Sequence, residues 1–244
     1  MSRARILAIE VDKVTMSEAV GRCLAWVDGE GSHMVVTPNA EFAYAATKDP
    51  EFASILNGAD LVIPDGIGIL MAARLLGDPV PEKVAGVELS ANLIGAMAKR
   101  GRGSVYLLGA RPEVVAQAAQ RIQERFPGIT IAGYQHGYYK PEEEAAVISA
   151  IRAARPDFLI VGMGMPRQEK WLHQHLRETG AKVGIGAGGT IDVLAGVAPR
   201  APEWMIKSNL EWLFRIVKLG RIGRSLPPLI RFVGKVAVQK VRGR

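Results

Sequence analysis

Lys182-Val183-Gly184-Ile185-Gly186-Ala187-Gly188-Gly189-Thr190 is a short apolar run that stops in a cluster of glycines. A strand released through a glycine turn into a helix is the repeating unit of a parallel α/β sheet. The unit recurs on both sides of this stretch. Asp157-Phe158-Leu159-Ile160-Val161 ends at Gly162-Met163-Gly164. Ser104-Val105-Tyr106-Leu107-Leu108 ends at Gly109-Ala110-Arg111-Pro112, and Pro112 suits the first turn of the helix that follows. Ile129-Thr130-Ile131-Ala132 reads as another strand, followed by a Gly- and Tyr-rich loop. Nearer the N-terminus, Met34-Val35-Val36-Thr37 precedes a helix from about Ala40 to Thr47, and Leu61-Val62-Ile63 ends at Pro64-Asp65-Gly66. The expectation is an α/β fold with a Rossmann-like parallel sheet flanked by helices.

The 244 residues suit one large domain or a domain with an appendage, and can bury a core without metals or disulfides. One cysteine, Cys23, excludes an intramolecular disulfide and a cysteine-based zinc cluster. No uncharged apolar run reaches the ~18–20 residues that span a bilayer. The basic start Met1-Ser2-Arg3-Ala4-Arg5 is followed by too short an apolar stretch before Glu10 for a secretory signal. A cytoplasmic location is expected.

The net charge of +7 is unevenly placed. Residues 203–244 hold ten Lys or Arg against two acids, Glu203 and Glu211, while residues 1–202 are close to neutral. Two parts are therefore expected: a core over 1–202 and a basic amphipathic appendage over 203–244. Gly220 to Pro228, with the helix-breaking pair Pro227-Pro228, reads as the break between body and tail. A basic tail suits nucleic acid, an anionic membrane or an anionic substrate. Here the cations are interleaved with Trp204, Trp212 and Phe214, which favours a membrane surface over duplex DNA. A solvated basic helix, or contacts within a homo-oligomer, are the plainer readings.

Ligands of open parallel sheets bind beyond the C-terminal strand ends. Those ends carry Thr37-Pro38-Asn39, Pro64-Asp65-Gly66, Gly109, Gly162 with Gly164, and Gly188. Glycines let backbone N–H groups approach a phosphate, so a nucleotide or phosphorylated ligand is expected there, with tight turns as the alternative. No G-x-G-x-x-G opens the first βα unit and no Walker-type loop is present, which disfavours an ordinary dinucleotide enzyme and a P-loop enzyme. No D-x-D pair is available to hold a divalent ion on a diphosphate. His33, His136, His173 and His175 lack a ligand pattern. Asp65, at a strand end between Pro64 and Gly66, suits either a general base or the N-cap of the next helix.

Taken together, several segments resemble the WecG/TagA/CpsF family of bacterial glycosyltransferases (glycosyltransferase family 26). They are Thr37-Pro38-Asn39-Ala40-Glu41, Pro64-Asp65-Gly66, the run from Val161 to Trp171, Gly188-Gly189-Thr190-Ile191-Asp192, and Pro199 through Arg215. The resemblance spans about residues 5 to 225. It implies a GT-E type fold and inverting, metal-independent transfer of a sugar from a UDP-sugar to a polyprenyl-diphosphate-linked acceptor. N-acetylmannosamine, its uronic acid or glucose would be the sugar. No cofactor is implied, and the work is expected at the inner face of the cell membrane.

Residue by residue, the resemblance makes Asp65 the base and sets Thr37 and Asn39 beside it. Gln168 and Glu169 match a polar pair near the nucleotide-sugar, with Asp192 nearby. Arg215, Arg221 and Arg224 match tail arginines that close over the site. Many members carry Arg followed by Thr-Gly-Ser/Thr-Asp where this chain has Lys83-Val84-Ala85-Gly86-Val87-Glu88. Lys83 keeps the charge without bidentate geometry, and Glu88 is an acid one methylene longer. A non-catalytic protein binding a nucleotide or nucleic acid is the competing reading; under the transferase reading no nucleic acid is bound. An oxidoreductase with an atypical nucleotide turn is the third.

Overall fold

Period-two alternation gives each central strand two apolar faces, so the sheet must be covered on both sides. In the computed structural model, which describes residues 2–198, 201, 202, 204, 205, 208, 214 and 222–243 (side chains of 222–225 excepted), this is what the chain does. β3 (His33–Val36), β4 (Leu61–Val62), β5 (Ser104–Gly109), β6 (Thr130–Gln135), β7 (Phe158–Gly162) and β8 (Val183–Gly186) follow β1 (Arg3–Ile6) and β2 (Ile9–Asp12). The last six form one sheet in the order β4-β3-β8-β7-β5-β6, and each of its pairs is parallel.

The helices between the strands are α1 (Met16–Asp28), α2 (Ala40–Ala46), α3 (Pro50–Asn57), α4 (Ile67–Leu76), α5 (Gly86–Lys99), α6 (Pro112–Arg125), α7 (Glu144–Ala154), α8 (Arg167–Thr179) and α9 (Thr190–Leu194). Their starts are encoded locally. Thr15 and Glu18 form a capping box on α1, Asp49 accepts the Phe52 N–H ahead of Pro50 in α3, and Pro112 opens α6.

Two cores result. Leu159 and Val161 of β7 pack with Met34, Val36, Tyr106 and residues of α2, α3, α4, α7 and α8. Phe158 and Ile160 face the opposite way, among Val35, Val105, Leu107 and residues of α1, α5, α6 and α9. β8 follows the same alternation with glycines on one face. A Cβ on Gly184 would lie 2.6 Å from Leu176 Cδ1, and one on Gly186 would lie 2.9 Å from Glu169 Oε1. The missing side chains let α8 ride close over the sheet.

The sequence reading differs from the structure at three places. β1 and β2 form an antiparallel hairpin outside the sheet. Asp12, buried, accepts the Val62 N–H (2.8 Å) and pairs with Arg3, whose guanidinium donates to the carbonyls of Asn57 and Ala59. The hairpin thereby shields the short edge strand β4. β6 runs on through the expected loop to Gln135, because Gly133 (φ 159°) leaves room for the Tyr106 ring. Third, the helix α10 (Ile222–Val241) contains Pro227 and Pro228 instead of breaking at them. Two lost N–H donors are offset by the burial of Phe232 and Val236 in the first core, where α10 packs across α2 and α4.

Candidate active site

Parallel pairing sends every strand of the sheet out at the same edge. Thr37, Asp65, Gly109, Gly162 and Gly186 therefore end their strands side by side. Between β4, β3 and β8 the loops are laced together. Thr37 donates its hydroxyl to the Gly186 carbonyl (3.0 Å), Asp65 N–H donates to the Pro38 carbonyl (3.2 Å), and Val84 N–H donates to the Pro64 carbonyl (3.0 Å).

Asp65 does not cap the helix that follows it. Gly66 (φ 91°) occupies the N-cap of α4 and no side chain caps that turn. Asp65 Oδ2 instead accepts the N–H of Gly86, the first residue of α5 (3.2 Å). A Cβ on Gly86 would lie 2.8 Å from Thr37 Cγ2, so glycine is what allows α5 to start against these two residues. Asn39 caps α2: its Oδ1 accepts from the N–H groups of Glu41 and Phe42 (2.9 and 3.3 Å). Its Nδ2 makes no hydrogen bond among the described residues, so its two N–H donors are uncommitted there.

Lys83 and Glu88 flank Gly86 and line a cleft of about 450 Å³. Asn92, one turn beyond Glu88 on α5, and Arg125, at the end of α6, share that lining. Sequence reading missed both. Asn92 had a signal in its i+4 spacing from Glu88; Arg125 had none, because only the packing of α6 brings it there.

The second half of the edge is built on glycines. A Cβ on Gly109, at φ 138°, would sit 2.3 Å from the Gly162 carbonyl oxygen, and the Ala110 N–H donates to that oxygen (3.1 Å). Gly164 N–H donates to Gln168 Oε1 (3.0 Å), and Gln168 Nε2 donates to Glu169 Oε1 (2.6 Å). A Cβ on Gly188 would meet Gln168 Oε1 at 3.1 Å and the Gly164 backbone at 3.5 Å. Gln168 and Glu169 are thus buried beneath the two glycine turns, with Gln168 bridging the Gly164 backbone and the Glu169 carboxylate. Burial pushes the Glu169 carboxyl up to about 7, against the opposing hydrogen bond from Gln168. Its Oε2 has no partner among the described residues.

Asp192 lies in α9, the helix that follows these turns, and its carbonyl accepts the N–H groups of Val197 and Ala198. Arg215 and Arg221 lie outside the described residues, as does the side chain of Arg224.

A profile of the Glycosyl transferase WecG/TagA/CpsF family matches residues 4–244. Among characterised proteins, the chain is similar to the N-acetylglucosaminyldiphosphoundecaprenol N-acetyl-beta-D-mannosaminyltransferase of Bacillus spizizenii. They are 35% identical over 192 residues, covering 79% of this chain and 74% of that one. The protein of the same name from Bacillus subtilis matches at the same identity and coverage. That of Staphylococcus aureus is 33% identical over 242 residues, 98% of this chain and 94% of its own. A match along the whole chain, over a sheet whose C-terminal edge gathers Thr37, Asn39 and Asp65, makes this chain a glycosyltransferase of the WecG/TagA/CpsF family.

Proposed function

We propose that this chain moves N-acetylmannosamine, with inversion and without a metal ion, from a UDP-linked donor to N-acetylglucosaminyl-diphospho-undecaprenol. The names of its relatives supply the sugar and the acceptor. The observation that carries the chemistry is Asp65, whose carboxylate rests on the first N–H of α5 beside the Lys83–Glu88 cleft. In the reaction, an acceptor hydroxyl oxygen attacks the anomeric carbon, the bond from that carbon to the UDP oxygen breaks, and the hydroxyl proton passes to Asp65. Asn39 Nδ2 orients a sugar oxygen. The Thr37 hydroxyl has given its hydrogen to Gly186, so it can serve a ligand only as an acceptor.

Negative charge develops on the departing diphosphate. Arg215, Arg221 and Arg224 are the groups proposed to meet it, together with the N–H groups of the glycine turns. These arginines belong to the basic segment over 203–244, read here as an appendage that closes over the 1–202 core. The lipid acceptor would reach the core from the inner membrane face. α10 supports that reading. Leu226, Ile230, Val233 and Val241 share one outward stripe and are exposed, the last three to 63%, 58% and 87%. No helix among the described residues is long and apolar enough to cross a membrane.

UDP release from a panel of UDP-sugars, with and without a polyprenyl-diphosphate-N-acetylglucosamine analogue and with EDTA present, tests this. Acceptor-dependent release from UDP-N-acetylmannosamine alone is the expected result. Release from UDP-glucose alone, or release abolished by EDTA, would overturn the sugar assignment or the metal independence respectively.

A further inference from the structure

Beside α10 the chain forms a second, larger concavity, lined by none of the residues assigned above to the transfer reaction. It is a groove of about 1520 Å³ between α10, the α2–α3 corner and the turn of the β1–β2 hairpin. Its walls are joined at one end by Gln239, whose Oε1 accepts the Leu7 N–H (2.9 Å). The floor is apolar, with Ala46, Pro50, Ala53 and Val238 along it. Four cations stand around it: Arg5 on β1, and Arg231, Lys235 and Arg242 on α10. No Asp or Glu lines the groove, and none of the four cations pairs with a carboxylate among the described residues.

Helical spacing explains the arrangement. Arg231, Lys235, Val238 and Arg242 fall at i, i+4, i+7 and i+11 and share one face of α10. Phe232 and Val236 define a second face, buried in the core. The exposed stripe of Ile230, Val233 and Val241 defines a third. A helix lying at a bilayer with its apolar stripe in the acyl region holds its neighbouring face at the level of the headgroups. On this helix that neighbouring face is the cationic wall of the groove.

We propose that this groove is a binding site for one anionic phospholipid, separate from the active site. Its phosphodiester would lie among Arg5, Lys235 and Arg242, and its acyl chain on the apolar floor. Unpaired cations around an apolar surface complement both parts of such a lipid, whereas a free phosphate would leave the floor wet and a zwitterionic lipid would bring its own cation into the cluster. The inference rests on the reading of α10 as a membrane-facing helix and adds a headgroup requirement to it.

The test uses the full chain and water-soluble short-chain lipids, followed by thermal shift and calorimetry. Dihexanoyl-phosphatidylglycerol should bind saturably, with dihexanoyl-phosphatidylcholine and glycerol phosphate each weaker by about tenfold or more. Arg5→Gln with Arg242→Gln should weaken phosphatidylglycerol binding about thirtyfold, the effect of two cations at an anionic surface. Lys235→Gln alone should lower it in the same direction, which guards against a folding defect in the double variant. Equal binding of glycerol phosphate would reduce the site to an anion cluster, and equal binding of phosphatidylcholine would reduce it to an apolar groove. Either result, or unchanged binding by the variants, overturns the proposal.

Sedimentation with vesicles separates it from the membrane reading. Ile230→Ser with Val233→Ser should release the protein from vesicles while leaving short-chain phosphatidylglycerol binding intact. Wild-type protein that ignores vesicles but binds the short-chain lipid would sink the membrane reading and leave the groove standing.

Discussion

The hydroxyl of Thr37 donates to the carbonyl of Gly186 across 149 positions of sequence, fixing the end of β3 against the end of β8. Gly186 in turn lies under Glu169, so the contact links the half of the edge that holds Asp65 to the half built on glycine turns. Thr37→Val should leave a buried carbonyl without this donor and cost about 1–2 kcal/mol. Thr37→Ser keeps the donor. We expect Val to lower kcat/KM at least tenfold and Ser to retain most of it, read by UDP release beside a denaturant melt.

Asp65→Asn separates base chemistry from architecture. An asparagine carbonyl can still accept the Gly86 N–H, so the melting temperature should stay close to that of the wild type. Turnover should fall by about 10²–10⁴-fold, the usual contribution of a general base. A variant with near-normal turnover would remove Asp65 from that role.

Glu169 should make stability depend on pH in an uncommon direction for a carboxylate. Its folded value, about 7, lies above the ordinary 4.5, so between those values the folded chain holds a proton that the unfolded chain has released. Its contribution is complete below about 4.5, falls as pH rises to about 7, and is flat above. The total is roughly 3 kcal/mol. Glu169→Gln mimics the neutral acid and should lose this slope, so the difference between the two urea-stability profiles across pH isolates it.

Gly184 and Gly21 should respond in opposite directions to alanine. At Gly184 the new methyl meets Leu176 and Leu172 at 2.6 and 2.8 Å and should cost about 1–3 kcal/mol by overpacking. At Gly21, inside α1, nothing lies within 4 Å, and alanine should stabilise by about 0.5–1 kcal/mol. Urea midpoints of the two variants check both signs.

Asp12→Ala should loosen the hairpin from β4. It removes the acceptor of the Val62 N–H and the carboxylate beside Arg3, for a cost of about 2–3 kcal/mol. Amide exchange at Val62 should rise more than at Val161, in the middle of the sheet.

The sequence alone shows the six parallel strands as short apolar runs, a local pattern; five are closed by Pro or Gly, whereas β6 continues through Gly133 to Gln135. It also placed Thr37, Asp65, Gly109, Gly162 and Gly188 at one edge, since parallel strands all exit the same way. Motif resemblance added the chemistry. What needed tertiary structure was everything whose cause lies far along the chain. The hairpin has no local signal: Leu7-Ala8 carries no turn residue, and Leu7 takes a positive φ (57°) where its N–H is held by Gln239, far along the chain. Pro227 and Pro228 argue against a helix locally, yet α10 passes through them because Phe232 and Val236 are buried further on. Asp65 looked equally fit to cap the next helix. Its partner at the start of α5 was decided by the packing of Gly86 against Thr37, a contact no spacing rule encodes.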